Sequence, residues 1–98
     1  MYYAYILRSK YQAGAIYIGY TSDLKKRLAE HNATNYKSYS KRFAPWEIET
    51  YIAFSTEKQA KEFEIYLKGN SGKAFMRKRL LSDNFKKALK KFNNGRDD

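Results

Sequence analysis

Arg27 and His31 are polar residues placed where a helix would turn its apolar side. At about 100° per residue, Leu24, Arg27, Leu28 and His31 fall within one arc of a helix opened by Ser22-Asp23, and Lys25, Lys26, Ala29 and Glu30 fall opposite. An arginine on a packing face either meets an anion or lies at the rim, its stem over the core and its head in water. Glu64 poses the same problem with the opposite sign. It shares a stripe with Ala60, Phe63 and Leu67, and a carboxylate that loses its hydration there needs a cation. A lysine or arginine would serve, Arg27 foremost, and the pair would then be structural. A divalent metal would serve instead. One carboxylate with no second Asp near it in sequence suits Mg²⁺, which completes its shell with water and phosphate oxygens. His31 is the only histidine, and nothing around it marks a nucleophilic serine. No glycine-rich phosphate loop is present, so nucleoside triphosphate binding has no support.

These side chains need elements to hold them. Tyr2–Leu7 and Ala15–Tyr20 are short runs of aromatic and β-branched residues separated by the polar loop Arg8–Gly14, a pattern that predicts a β-hairpin covered on both faces. Tyr3, Tyr5 and Leu7 share one face of its first strand. Ala15, Tyr17 and Gly19 share one face of its second, where Gly19 leaves room for another backbone or a ligand. Trp46–Phe54, behind Pro45, is a third strand with Trp46, Ile48, Thr50, Ile52 and Phe54 on one parity. The first helix runs to about Glu30 or His31. Thr56-Glu-Lys-Gln59 opens a second helix that continues through about Lys68. Gly69-Asn-Ser-Gly72 interrupts, a third helix follows over Lys73–Leu80, a fourth over Ser82–Phe92, and the end frays. The polar stretch Asn32–Ala44 reads as a long functional loop.

At 98 residues the chain is expected to be one domain, and 43% hydrophobic and 17% aromatic residues require an ordered fold. The absence of cysteine excludes disulfides, thiolate zinc sites and a thiol nucleophile. No apolar run approaches the roughly 18 residues of a membrane span and no signal-peptide profile is present, so a cytoplasmic protein with no membrane association is expected. A net charge of +10 suits a polyanion, nucleic acid before an anionic membrane. Between residues 68 and 92 nine basic residues stand against the single acid Asp83, so the positive charge is concentrated near the C-terminus.

The run Tyr17-Ile18-Gly19-Tyr-Thr-Ser-Asp-Leu-Lys-Lys-Arg27-Leu-Ala-Glu-His31-Asn32 resembles the core of the GIY-YIG nuclease family. Tyr17-Ile18-Gly19 stands as YIG, Tyr3-Ala4-Tyr5 takes the place of GIY, and Arg27 falls ten residues beyond Tyr17. Ala60–Lys68 is similar to the later helix that carries the family's glutamate, and Lys68–Phe75 to the small stand-alone bacterial members. The resemblance covers residues 2–80. It implies an α/β fold, a three-stranded antiparallel sheet flanked by helices, with an additional C-terminal helix. Residues 1–80 would form the nuclease-like part, and 81–98 a basic helical extension of the same domain.

The implied activity is divalent-metal-dependent hydrolysis of DNA phosphodiesters, structure-selective and linked to DNA repair or processing, as in the amino-terminal nuclease domain of the repair excinuclease. Glu64 would hold Mg²⁺ or Mn²⁺, and Arg27 would stabilise charge on the phosphorane. Tyr5 or Tyr17 would take the proton of the attacking water, and His31 would relay that proton or bind phosphate. Lys41, Arg42, Lys68, Lys73, Arg77 and Arg79 would contact the DNA backbone, which positions DNA without reading it. The chain departs from the family at Tyr3-Ala4, and Met76 lies where a further asparagine is expected. The alternatives are a nucleic-acid-binding module on the same fold that has lost turnover, and an adaptor whose basic end docks an acidic protein. A monomer is the default.

Overall fold

The computed structural model describes residues 1–33, 41–83 and 87. Its sheet has the order β2-β1-β3, with β1 (Tyr2–Ser9) paired antiparallel to both β2 (Ile16–Thr21) and β3 (Trp46–Phe54). Helix α1 (Leu24–Asn32) joins β2 to the segment before β3, and α2 (Glu57–Lys68) and α3 (Asn70–Arg79) follow β3. The expected α/β fold, a three-stranded antiparallel sheet flanked by helices with a further helix at its C-terminal end, is therefore present. Among the described residues no helix is long and apolar enough to cross a membrane.

Alternation along β1 divides the interior in two. Ile6 faces α2 and α3, where it joins Leu67, Met76 and Leu81, with Ile16, Ile18 and Phe63 packed alongside. Tyr5 and Leu7 face α1, where they join Trp46, with Tyr17, Leu24, Leu28 and Ile48 around them. The hairpin is thus covered on both sides. β3 does not keep one parity. Between Ile6 and Leu7 the pairing shifts, so that Ile6 opposes Thr50 and Leu7 opposes Ile48. The extra residue reverses the faces: Trp46 and Ile48 pack under α1, whereas the Phe54 ring lies 5.5 Å from Phe63 of α2. The residue left over is Glu49, whose side chain is 3% exposed and whose carboxylate accepts from Arg8 Nη1 and from the Ser82 amide at 3.0 Å.

Local chemistry sets the element ends. The Asp23 carboxylate accepts from the Lys26 amide at 3.1 Å, and the Thr56 hydroxyl accepts from the Gln59 amide at 3.2 Å, each supplying a partner for an amide of a first helical turn. β1 runs two residues past the expected Leu7. Ser9 is buried at its end, its hydroxyl donating to the Phe43 carbonyl and accepting from the Tyr11 and Gln12 amides. Gly14, at φ 93°, supplies the left-handed residue that closes the loop.

Helix α3 starts at Asn70 and not at the expected Lys73, because only Gly69 interrupts. Its amide ends α2 on the Tyr66 carbonyl, and its carbonyl starts α3 by accepting from the Lys73 amide at 2.9 Å. Gly72 lies inside α3. A Cβ there would stand 1.8 Å from the Tyr66 carbonyl oxygen, so the glycine is the point where the two helices touch. Of the expected loop Asn32–Ala44, Asn32 ends α1 and Lys41 and Arg42 are helical, while residues 34–40 lie outside the described residues. Asp83 and Lys87 are helical, and the remainder of the expected fourth helix likewise lies outside them.

Candidate functional site

Tyr5, Tyr17 and His31 are brought together beneath α1. The Tyr5 hydroxyl and His31 Nε2 share a hydrogen bond of 3.1 Å, and the Tyr17 ring lies 4.4 Å from the imidazole and 6.5 Å from Tyr5. Trp46 closes the cluster 6.3 Å from Tyr17. Asn32 holds that strand end, its amide group donating to the Trp46 carbonyl and accepting from the Trp46 amide. The space beside Gly19 is not left for a ligand. A Cβ at residue 19 would stand 2.5 Å from the Tyr5 hydroxyl, so the glycine makes room for the phenol opposite it in the sheet. Tyr5 is 2% exposed and His31 is fully buried, so this constellation is part of the core.

Burial lowers the His31 pKa from its usual value, and the positive charge of Arg27 lowers it further, with Glu30 opposing. A histidine that binds its proton more weakly when folded makes the unfolded state the better proton acceptor, and stability then rises with pH across the interval between the two pKa values. Stability is therefore full above the unfolded value near 6.5, and it is lost as pH falls from there toward the lower folded value. Folding free energy should be level above about pH 7 and decline below it by up to about 1.4 kcal/mol per pH unit, with thermal midpoints following. In His31→Gln, circular-dichroism melts between pH 5.5 and 7.5 should lose that slope, since the chain has no second histidine.

Arg27 takes the rim position. Its side chain is 38% exposed and its Nε lies 3.2 Å from Glu30. The guanidinium lines a cleft of about 330 Å³ with Tyr2, Tyr20, Thr21, Ser22 and Glu57, five residues that the helical pattern gave no reason to single out. Glu64, two turns along α2 from Glu57, is not among the residues that line this cleft, and the body of α2 packs on the sheet face opposite α1. Its carboxylate is 13% exposed, and its cation is Lys68, one turn along the same helix at 2.8 Å. Glu preceding Lys by four residues is the favourable order for such a pair. That spacing was visible in the sequence and would have named the partner.

The Glu64 surroundings do not fit a metal ion. Among the described residues no group of three or more His, Asp or Glu side chains gathers anywhere in the chain, and Lys68 already neutralises the carboxylate. Of the residues expected to contact DNA, Lys41, Arg42, Lys73, Arg77 and Arg79 are exposed, Arg42 with its guanidinium 5.2 Å from the Phe43 ring centre. Lys68 is exposed too, but engaged by Glu64.

A family model described as the GIY-YIG catalytic domain matches residues 1–79. The chain belongs to the GIY-YIG family. Among this GIY-YIG chain's relatives are UPF0213 proteins of Bacillus pumilus, Bacillus licheniformis and Streptococcus pneumoniae. The first is 36% identical over 66 residues, covering 67% of this chain and 65% of the relative. The second is 34% identical over 71 residues, covering 72% and 71%. The third is 32% identical over 82 residues, covering 84% and 79%. The solution structure of a UPF0213 protein from Bacillus halodurans has the same fold, at a TM-score of 0.50 and 24% identity, covering 89% of this chain and 94% of that one.

These findings correct the functional expectation. The three relatives named above bear UPF0213 names and not the name of a nuclease or hydrolase, and among the described residues those around Glu64 do not form a metal site. The expected Mg²⁺- or Mn²⁺-dependent DNA endonuclease, with its hydrolase and repair assignments, is therefore set aside, and these findings favour the alternative reading taken up below.

Proposed function

We propose that this chain is a nucleic-acid-binding module, a GIY-YIG scaffold that grips the phosphate backbone without hydrolysing it. The observation that carries it is α3. Over Asn70–Arg79 the helix exposes Lys73, Arg77, Lys78 and Arg79 and contains no acidic residue. Three of these cations occupy the last turn, where they also favour the helix dipole, yet dipole compensation does not call for four on one short helix. The sequence beyond α3 adds Lys86, Lys87, Lys90 and Lys91. Lys41, Arg42 and the Arg27 cleft offer further phosphate contacts, which position nucleic acid and carry no sequence information. A cytoplasmic location accords with a chain that has no cysteine and a nucleic-acid partner.

Fluorescence anisotropy with two 20-nucleotide duplexes of unrelated sequence, titrated from 50 to 300 mM KCl, tests this. If the four α3 cations each neutralise one phosphate, log K should fall linearly with log salt at a slope of about −3 to −4, alike for both sequences. No binding at 50 mM KCl to these duplexes or to single strands of the same length would remove the assignment. Appearance of nicked plasmid in MgCl2 would remove its non-hydrolytic half. Docking of an acidic protein in place of nucleic acid is favoured by no observation of comparable weight.

A further inference from the structure

Four rings form a chain from the edge of the sheet to the surface. Phe54 at the end of β3 lies 5.5 Å from Phe63, and Phe63 lies 5.7 Å from Tyr66 and 6.2 Å from Phe75. The last two lie 6.1 Å from one another and are the outer pair, 41% and 37% exposed. The half-buried Phe63 fixes them from beneath, and the contact at Gly72 holds their two helices together. An apolar face of this kind is ordinarily covered by something.

Its charge says what. Lys78 and Arg79 follow Phe75 by three and four residues, so both project from its side of α3, and both are exposed. α3 carries no carboxylate, and of the two on α2 near Tyr66, Glu64 is paired with Lys68, which leaves Glu62, one turn before Tyr66. Paired π-faces beside two cations, on a chain of net charge +10, suit a ligand that offers flat rings and phosphates in alternation.

We propose that Tyr66 and Phe75 are a base-stacking platform, with Lys78 and Arg79 holding the adjoining phosphates, and that it selects single-stranded nucleic acid over duplex; this rests on the nucleic-acid reading above. A duplex keeps its base faces stacked inside the helix and can offer α3 only its phosphates. An unpaired strand can lay successive bases on the exposed rings, and because every base has a π-face the preference is for strandedness and not for sequence.

The test is anisotropy at 50 mM KCl with labelled dT15 and with a 20-base-pair duplex, on the full chain and on Tyr66→Leu, Phe75→Leu and the double variant. Leucine keeps apolar cover over Phe63 and removes the aromatic face. Each single variant should lose about tenfold in affinity for dT15 and the double variant more, with duplex affinity within about twofold of the parent. Losses that run in parallel on both ligands, or unchanged dT15 affinity, would overturn the platform. So would parent protein that binds duplex and not dT15, a result that leaves the nucleic-acid reading standing. Parent protein that binds neither ligand ends both. A double variant that only converts a dimer to a monomer would make this face a contact between copies and overturn the platform. Should leucine disturb the fold, Phe75→Trp decides. Trp46 is 2% exposed, so a change in emission on adding strand reports the new indole. Quenching by dT15 and not by duplex supports stacking, and quenching by neither overturns it.

Discussion

Gly72→Ala should lower the thermal midpoint by roughly 12–24 °C, whereas Gly69→Ala, three residues earlier, should raise it by about 2–8 °C. The two glycines belong to one Gly-Asn-Ser-Gly segment and do opposite work. A Cβ at residue 72 would stand 1.8 Å from the Tyr66 carbonyl oxygen, 2.4 Å from its carbonyl carbon and 2.7 Å from Leu67 Cα. All three are backbone atoms, and no rotamer change can move them aside. To admit the methyl group, α2 and α3 must separate, and Leu67 and Met76, which meet at that contact in the core with Ile6, separate with them. Overpacking of this severity belongs at the upper end of the usual range, about 3 kcal/mol, and each kcal/mol is worth about 4–8 °C in a domain of this size. At Gly69 the nearest atom to a new Cβ is the Tyr66 carbonyl oxygen at 3.6 Å, and the backbone is extended with φ −88°. Alanine fits there and reduces the freedom of the unfolded chain, an effect of about 0.4–1 kcal/mol in favour of folding. Circular-dichroism melts of the two proteins side by side provide the check. A Gly72→Ala midpoint within about 3 °C of the parent, less than 1 kcal/mol, would show that the helix pair is not built on this contact.

Exchanging Arg77, Lys78 and Arg79 together for glutamine should weaken duplex binding roughly hundredfold at 50 mM KCl and reduce the steepness of the salt dependence by about 2.7, at about 0.9 for each neutralised cation. The fold should persist, because all three side chains are exposed. Their favourable interaction with the α3 dipole is worth only a few tenths of a kcal/mol each at an exposed helix end. The slope is the decisive measurement. A variant with weaker binding and an unchanged slope would have lost something other than phosphate contacts. Unchanged affinity and unchanged slope together would move the nucleic acid to the Arg27 cleft and the Lys41–Arg42 side.

Features set by neighbours in the chain are legible in the residues themselves. Thr56 caps the start of α2 with Gln59 answering three residues on, Gly69 ends it, and the run from Trp46 to Phe54 is β3 as the pattern predicts. The family is legible as well, since Tyr17-Ile18-Gly19, Arg27 and Glu64 keep its order and spacing. Arg27 and His31 of α1 can be assigned to one helix face, but periodicity gives direction and not depth. Only the packed structure sends His31 wholly inside while Arg27, one turn earlier, stops at the rim beside Glu30.

Tertiary structure decided everything that depended on a partner far along the chain or on the space between elements. Glu64 needed a cation by sequence alone. Its cation, Lys68, lies one turn along the same helix and is legible there; what the packing of α2 on the sheet face opposite α1 decides is that Arg27 is not the partner. The shift between Ile6 and Leu7 sends Ile48 and Phe54 to opposite faces although they share a parity, because one added residue inverts every side chain beyond it. Gly19 and Gly72 look alike in a sequence, as sites without a side chain. One makes room for Tyr5 and the other for the backbone of Tyr66, because what fills the missing volume of a glycine is set by whatever the fold brings against it.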